Sequence, residues 1–559
     1  MTARRPDSER RLIPRWRSSS ETINGGELRS AQLKKLAPIT PPDVPQFEDL
    51  REEWNRDHSI EVSADLISCG VTLGRTKDKE VQEAARLLAD AKTTSDLQSV
   101  AHRVLSDTLG YIPNLSPISF DPDIARVELY SQIALHKRRI RIYPKNAIAW
   151  IDIARLYTAL GQQDKAREAI RAATALSPDN RFVLRSTARF FVHADGKSRE
   201  DQIEEGLYYL RKSTLMRADP WIMAAEISLS TIAKKSPQSL RWARAVADAD
   251  SIDPWDLSEL NGALATLAIQ QGGIGKPGKL FNKSLRVPTE NALAQAQWAA
   301  DRYKVVSISE RIFQTMRVPA FEALALKHRA ERKWHEVIED CRAWSVMDPT
   351  STRPLILGGY IAEVALEDGE VAREFSERAL LIAPNEPWAH NNLAVAFAYL
   401  GRIDDAAEHA FRFQLHDLPE ETHTTYFATQ GLLSYRRGER EKGLQLYLRA
   451  ADTKAAQKDV GLRAMVMWHL LREEARLRAP DTKELTDILW KHTRSLPIPE
   501  LETLRQRILH PRPSVHERAM ALLKSVTEKG SQAPSIRDSV AKDFSRLFEE
   551  KPGPESNIF

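Results

Sequence analysis

Only two cysteines occur in 559 residues, Cys69 and Cys341, so the chain has no disulfide framework. They lie far apart in sequence, which also rules out a CxxC metal or redox motif and fits a reducing cytosol. No run of about eighteen apolar residues exists, so a membrane span is not expected. The opening Met1-Thr-Ala-Arg-Arg-Pro-Asp7 has no apolar core, and a cleaved secretory signal is not expected either. An excess of one charge is missing as well: 81 Lys/Arg stand against 77 Asp/Glu, a net of +4. The balance is uneven, because residues 1–40 hold nine basic and four acidic side chains. All of the formal excess lies in that leading segment.

What is present is a spacing that returns every 34 residues. In Ala147–Asn180, Trp150, Ile153, Ala154, Tyr157, Gly161, Ala166, Ile170, Ala173 and Pro178 sit at positions 4, 7, 8, 11, 15, 20, 24, 27 and 32. In Pro387–Glu420, His390, Leu393, Ala394, Phe397, Gly401, Ala406, Ala410 and Phe413 hold the same positions from 4 to 27. Positions 4, 7, 8 and 11 make one helical stripe, and 20, 24 and 27 make a second. Ala154 and Ala166 mark where the two helices must approach closely. Gly161 and Gly401 stop the first helix, and Pro178 ends the second.

These positions resemble the tetratricopeptide repeat family, a helix–turn–helix unit of 34 residues. The resemblance implies an all-α fold: a right-handed α-solenoid of about eight to ten stacked hairpins with helical caps. It covers roughly residues 113–457. More divergent units follow at Val318–Ser351, Arg353–Glu386 and Thr424–Gln457. In the second of these the turn at Asp368-Gly369-Glu370 is displaced by about two residues. Function in such proteins is binding, so the expected partner is a protein or peptide in a concave groove. Asp152, Arg155, Asn391 and Asn392 are the candidate lining of that face. The family's carboxylate clamp is not carried over, since Arg353–Glu386 supplies no matching asparagine.

Outside the repeats the pattern changes. Residues 1–45 read as a basic, disordered tail, with a docking candidate at Arg15, Trp16 and Arg17. Residues 46–112 read as a helical N-terminal cap, with Val81, Ala84, Ala85, Leu88 and Ala91 in one stripe. Residues 458–528 read as a C-terminal helical region. Residues 529–559 form a tail in which Ile536, Val540, Phe544, Leu547 and Phe548 space an amphipathic helix that meets the protein's own groove or a partner.

Three motifs carry residue types associated with chemistry. Gly273–Lys279 matches the first seven positions of a phosphate loop, but Leu280 replaces the magnesium-binding hydroxyl and the context is helical. His409, His416 and His423 recur every seven residues, about 10.5 Å along a helix, too far to grip one metal. Lys137, Arg138, Arg139, Arg141 and Lys145 form a basic run that suits a helix C-terminus, or a nucleic-acid contact. No metal or cofactor is implied, and no residue set supports an enzyme. The reading is therefore a cytosolic scaffold. The alternatives are a nucleic-acid-binding regulator and a regulator of a separately encoded enzyme.

Overall fold

The computed structural model describes residues 47–510, apart from 57, 74, 92–94, 107–117, 143–145, 194–198, 250–251, 273–275, 315, 317–318, 414–421 and 480–481. Every regular element among them is helical. The chain divides into two compact units: residues 1–467 with 496–500, and residues 468–495 with 501–559.

The first unit is built from antiparallel hairpins. Ala147–Ala159 pairs with Gln163–Leu176, Arg181–His193 with Arg199–Lys212, and Pro220–Ile232 with Leu240–Ala247. Ser258–Gln270 pairs with Lys276–Ser284, and Phe321–Ala330 with Trp334–Met347. Three more follow: Arg353–Ile361 with Gly369–Ile382, Pro387–Tyr399 with Ile403–Arg412, and His423–Arg436 with Arg440–Ala451. Between them, Glu290–Tyr303 packs directly on Phe321–Ala330.

Local chemistry sets the boundaries. The side chains of Asn146, Asp219, Thr289 and Asp368 each accept a backbone N–H in the first turn that follows. Gly161 and Gly401 adopt φ +69° and +75°, the left-handed stop that their spacing predicts. Elsewhere Lys234, Lys304, Arg332 and Glu367 take the same conformation without glycine. A π turn at Ala362–Leu366 adds length before Glu367, which accounts for the displaced Asp368-Gly369-Glu370 turn. The small positions permit close approach. A Cβ on Gly358 would stand 2.2 Å from the Phe375 ring, and one on Gly443 would stand 2.5 Å from Tyr435.

The two helices of each hairpin play unequal parts. Ala147–Ala159 buries eleven of its 13 residues, and Pro220–Ile232 buries twelve of 13. Pro387–Tyr399 buries eleven of 13 as well. A helix covered all round belongs to the interior of a structure. The second helices are amphipathic: Ile403–Arg412 buries Ala406 and Ala410 alone, and Leu240–Ala247 buries Ala243 and Ala247 alone.

Two features seal the first helices. One is a series of polar rungs spaced by about one repeat. Arg181 meets Asp219 at 2.5 Å, and the Trp221 indole donates to Asp256 at 3.2 Å. Gln295 donates to Thr266 at 2.9 Å, and Arg353 pairs with Glu322. The other is contact between distant repeats. Phe120 lies edge-on to Phe375, with ring centroids 4.7 Å apart. Arg189 donates to Asp348 at 2.8 Å across 159 residues of chain. A Cβ on Gly161 would meet the backbone carbonyls of Leu381 and Ile382 at 3.1 Å. A solenoid is expected to touch only its neighbours. This array also returns on itself, because helix Gly369–Ile382 packs on both Pro122–Ile142 and Ala147–Ala159.

Candidate protein-docking surface

The sequence-predicted groove residues lie inside the protein. Asp152, Arg155, Asn391 and Asn392 are 3%, 7%, 2% and 3% exposed. Asn391 accepts the Thr429 hydroxyl at 2.7 Å, and Asn392 donates to the Ile356 carbonyl at 3.3 Å. Each of these bonds joins one repeat to its neighbour. Arg15, Trp16, Arg17 and Lys145 fall outside the described residues.

The histidine series resolves differently from its spacing. His409 pairs with His390, on the preceding helix. Their Nδ1 atoms are 2.9 Å apart and the rings stack. The Nε2 of His390 lies 2.9 Å from the Pro384 carbonyl, an acceptor, so this nitrogen carries the proton. The Nδ1 of His390 then accepts, and that of His409 donates. Burial lowers the pKa of both, and His409 falls to about 4. His416 lies outside the described residues, and no group of three metal-ligating side chains forms among the described ones. The glycine-rich run continues into a helix: Lys276, Pro277, Gly278 and Lys279 form the first turn of Lys276–Ser284. A cleft of about 400 Å³ beside Leu207 and Tyr208 is occupied by its own charges, with Lys235 on Glu204, Arg211 on Glu226, and Lys212 over the Tyr208 ring.

An exposed surface of mixed chemistry appears on Pro122–Ile142, the helix that precedes the first clear repeat. Asp121 caps it, accepting from the N–H groups of Asp123 and Ile124 at 2.9 and 3.0 Å. Ala125, Leu129, Ile133 and His136 are buried. That i, i+4, i+8, i+11 stripe is the inner face. The outer face carries Ile124, Val127 and Tyr130, which are 53%, 70% and 50% exposed. About two to three turns beyond Tyr130, the exposed positions become Lys137, Arg138 and Arg141. Lys137 lies 5.9 Å from the Tyr157 ring, and the Tyr130 hydroxyl accepts from Gln162 at 2.9 Å. The helix therefore offers an apolar half and a basic half on one side.

The underside of this helix rests on a demanding support. Arg378, on Gly369–Ile382, is 2% exposed. Burial lowers its pKa to about 10, and the charge of Glu128 opposes that shift. The foundation of the face is thus set by the contact between distant repeats.

Paired helices, small closing residues, left-handed turns after the first helix and rungs at repeat spacing settle the architecture. The chain is a TPR-like helical-repeat protein. No protein-family model and no curated protein matches it. Among solved structures it is similar to the APC/C hetero-tetramer Cut9–Hcn1, at 12% identity over 85% of this chain and 92% of that one, with a TM-score of 0.39. It is also similar to yeast Tom70, at 11% identity over 90% and 99%, with a TM-score of 0.28. No helix among the described residues is long and apolar enough to cross a membrane.

Sequence reasoning missed the apolar half of this face. A signal was available. Ile124, Val127 and Tyr130 lie three residues apart, on the side opposite Ala125, Leu129 and Ile133. A helix apolar on two sides has two neighbours to find.

Proposed function

We propose that this chain is a scaffold that binds another protein, and that the face of Pro122–Ile142 receives it. The supporting observation is the cluster of Ile124, Val127 and Tyr130, with Lys137 and Arg141 further along the same helix. An apolar patch flanked by charge on an otherwise polar surface is the usual mark of an interaction site. The chemistry selects an amphipathic helix whose apolar stripe ends in acidic residues. The location is cytosolic, where a buried thiol such as that of Cys341 stays reduced.

The test compares partners recovered quantitatively by the full-length wild type, by Ile124→Asp/Val127→Asp, and by Leu448→Asp as a surface control. One protein should be lost at least tenfold from the first variant and kept by the control. The same discrimination should hold with that protein purified, because apolar anchors dominate such interfaces. Equal recovery by all three chains sinks the proposal. So does binding that tracks only nucleic acid and falls steeply with salt.

A further inference from the structure

The second unit, considered by itself, contains a helix that is turned outward. In Thr482–Thr493 the buried positions are Thr486 and Thr493. Both hydroxyls are satisfied locally: Thr486 donates to the Thr482 carbonyl at 2.6 Å, and Thr493 donates to the Leu489 carbonyl at 2.8 Å. Thr493 also accepts the Trp468 indole N–H at 3.2 Å. Meanwhile Leu485 and Ile488 are 48% and 45% exposed, and nearby Leu477 is 50% exposed. A helix packed on one neighbour turns its aliphatic side inward. This one buries threonines and presents leucine and isoleucine, so its outer face is built for a second apolar neighbour.

The same unit includes residues 501–559, of which 511–559 lie outside the described residues. That remaining stretch holds an unassigned apolar series: Ile536, Val540, Phe544, Leu547 and Phe548. We propose that residues 536–548 form a helix that docks in cis on the face of Leu485, Ile488 and Leu477. Twenty-six residues separate Leu509, the last residue of helix Glu500–Leu509, from Ile536. Such a connection is long enough to reach any face of a small helical unit. Charge agrees with the pairing. Glu549 and Glu550 close the apolar series, and Lys491 and Arg494 lie at the C-terminal end of Thr482–Thr493.

The experiment uses the full chain and a labelled peptide of residues 531–559. Wild-type protein should leave the peptide free in a fluorescence anisotropy titration, because the face is already covered. The Phe544→Asp/Leu547→Asp chain should bind it. Adding Leu485→Asp/Ile488→Asp should abolish that binding, while Leu485→Met/Ile488→Met should retain it. Hydrogen exchange over 482–493 should speed up at least tenfold in Phe544→Asp/Leu547→Asp. Failure of the peptide to bind that variant overturns the proposal, as does equal binding to wild type. Deprotection of 482–493 by Leu523→Asp in place of Phe544→Asp assigns the face to the intervening segment. A wild-type dimer that dissociates on Leu485→Asp assigns it to a second copy. Either outcome refutes docking by 536–548. Helical circular dichroism confirms that each variant is folded.

Discussion

Replacing Arg189 by alanine tests whether this array is a string of neighbours or a body closed on itself. Arg189 and Asp348 have side chains 5% and 6% exposed, and they meet at 2.8 Å. Asp348 also accepts the Thr350 hydroxyl at 3.0 Å. Removing the guanidinium leaves a buried carboxylate without this cation, a change that costs about 3–5 kcal/mol. Replacing both residues by leucine removes the orphan charge as well as the pair. The double variant should therefore recover to within about 1–2 kcal/mol of wild type. Urea unfolding measures the energies, and hydrogen exchange locates them. In a closed body, Arg189→Ala loosens Arg181–His193 and Trp334–Met347 together. In a chain of neighbours only the first segment loosens. A loss below about 1 kcal/mol, with exchange changed only in residues 181–193, would refute the closed reading.

Two further predictions rest on packing and titration. Gly358→Ala gains up to about 1 kcal/mol of helix propensity, but its Cβ falls 2.2 Å from Phe375. Overpacking of that kind costs about 1–3 kcal/mol, so the variant should melt lower, and Phe375→Leu should restore part of the loss. The His390–His409 pair makes the hairpin of Pro387–Tyr399 and Ile403–Arg412 sensitive to acid. Both folded pKa values lie below the ordinary 6.5, that of His409 at about 4. The unfolded chain therefore binds protons first as pH falls. Stability from the pair is complete above pH 6.5 and is lost on descent towards pH 4, by about 2–3 kcal/mol in total. Arg412 strengthens the effect, and Glu386, Glu408 and Asp405 moderate it. His409→Phe should flatten this part of the stability profile, and an unchanged slope between pH 4 and 6.5 would contradict the assignment.

Much of the fold was legible where residue type and conformation coincide. The glycines at 161 and 401 both take positive φ at the turns where their spacing places them. Between residues 181 and 288 the phase is weaker, and there Lys234 makes the same turn without glycine, as Lys304 and Arg332 do further on. A lysine or arginine carries no turn signature, so the repeats were present but unmarked. The polar residues of the first helices were a different problem. Asn391 and Asn392 would look the same in sequence whether they lined an open groove or bridged two repeats. Only the fold, which sets them against Thr429 and Ile356 of the neighbouring repeats, decides that they are buried, and the closure through Phe120–Phe375 and Arg189–Asp348 is just as silent in the sequence. No local period encodes a contact across 159 residues.

That closure gives the buried polar rungs their meaning. Apolar stripes in successive repeats are alike, so burial alone would tolerate a hairpin stacked one step out of place. A rung is not tolerant in this way. Thr429 finds Asn391, Trp221 finds Asp256 and Gln295 finds Thr266 only when each repeat sits beside its proper neighbour. Each buried group left unpaired by a slip costs about 1–3 kcal/mol, so a few rungs together outweigh the few kcal/mol by which a misstacked array would otherwise compete. The same fixed register brings residues 120 and 189 opposite 375 and 348 after several repeats, where a single misplaced hairpin would carry Arg189 away from Asp348 and leave both charges buried. On this account the inner helices serve alignment, while Ile124, Val127 and Tyr130 stand exposed on the outer surface.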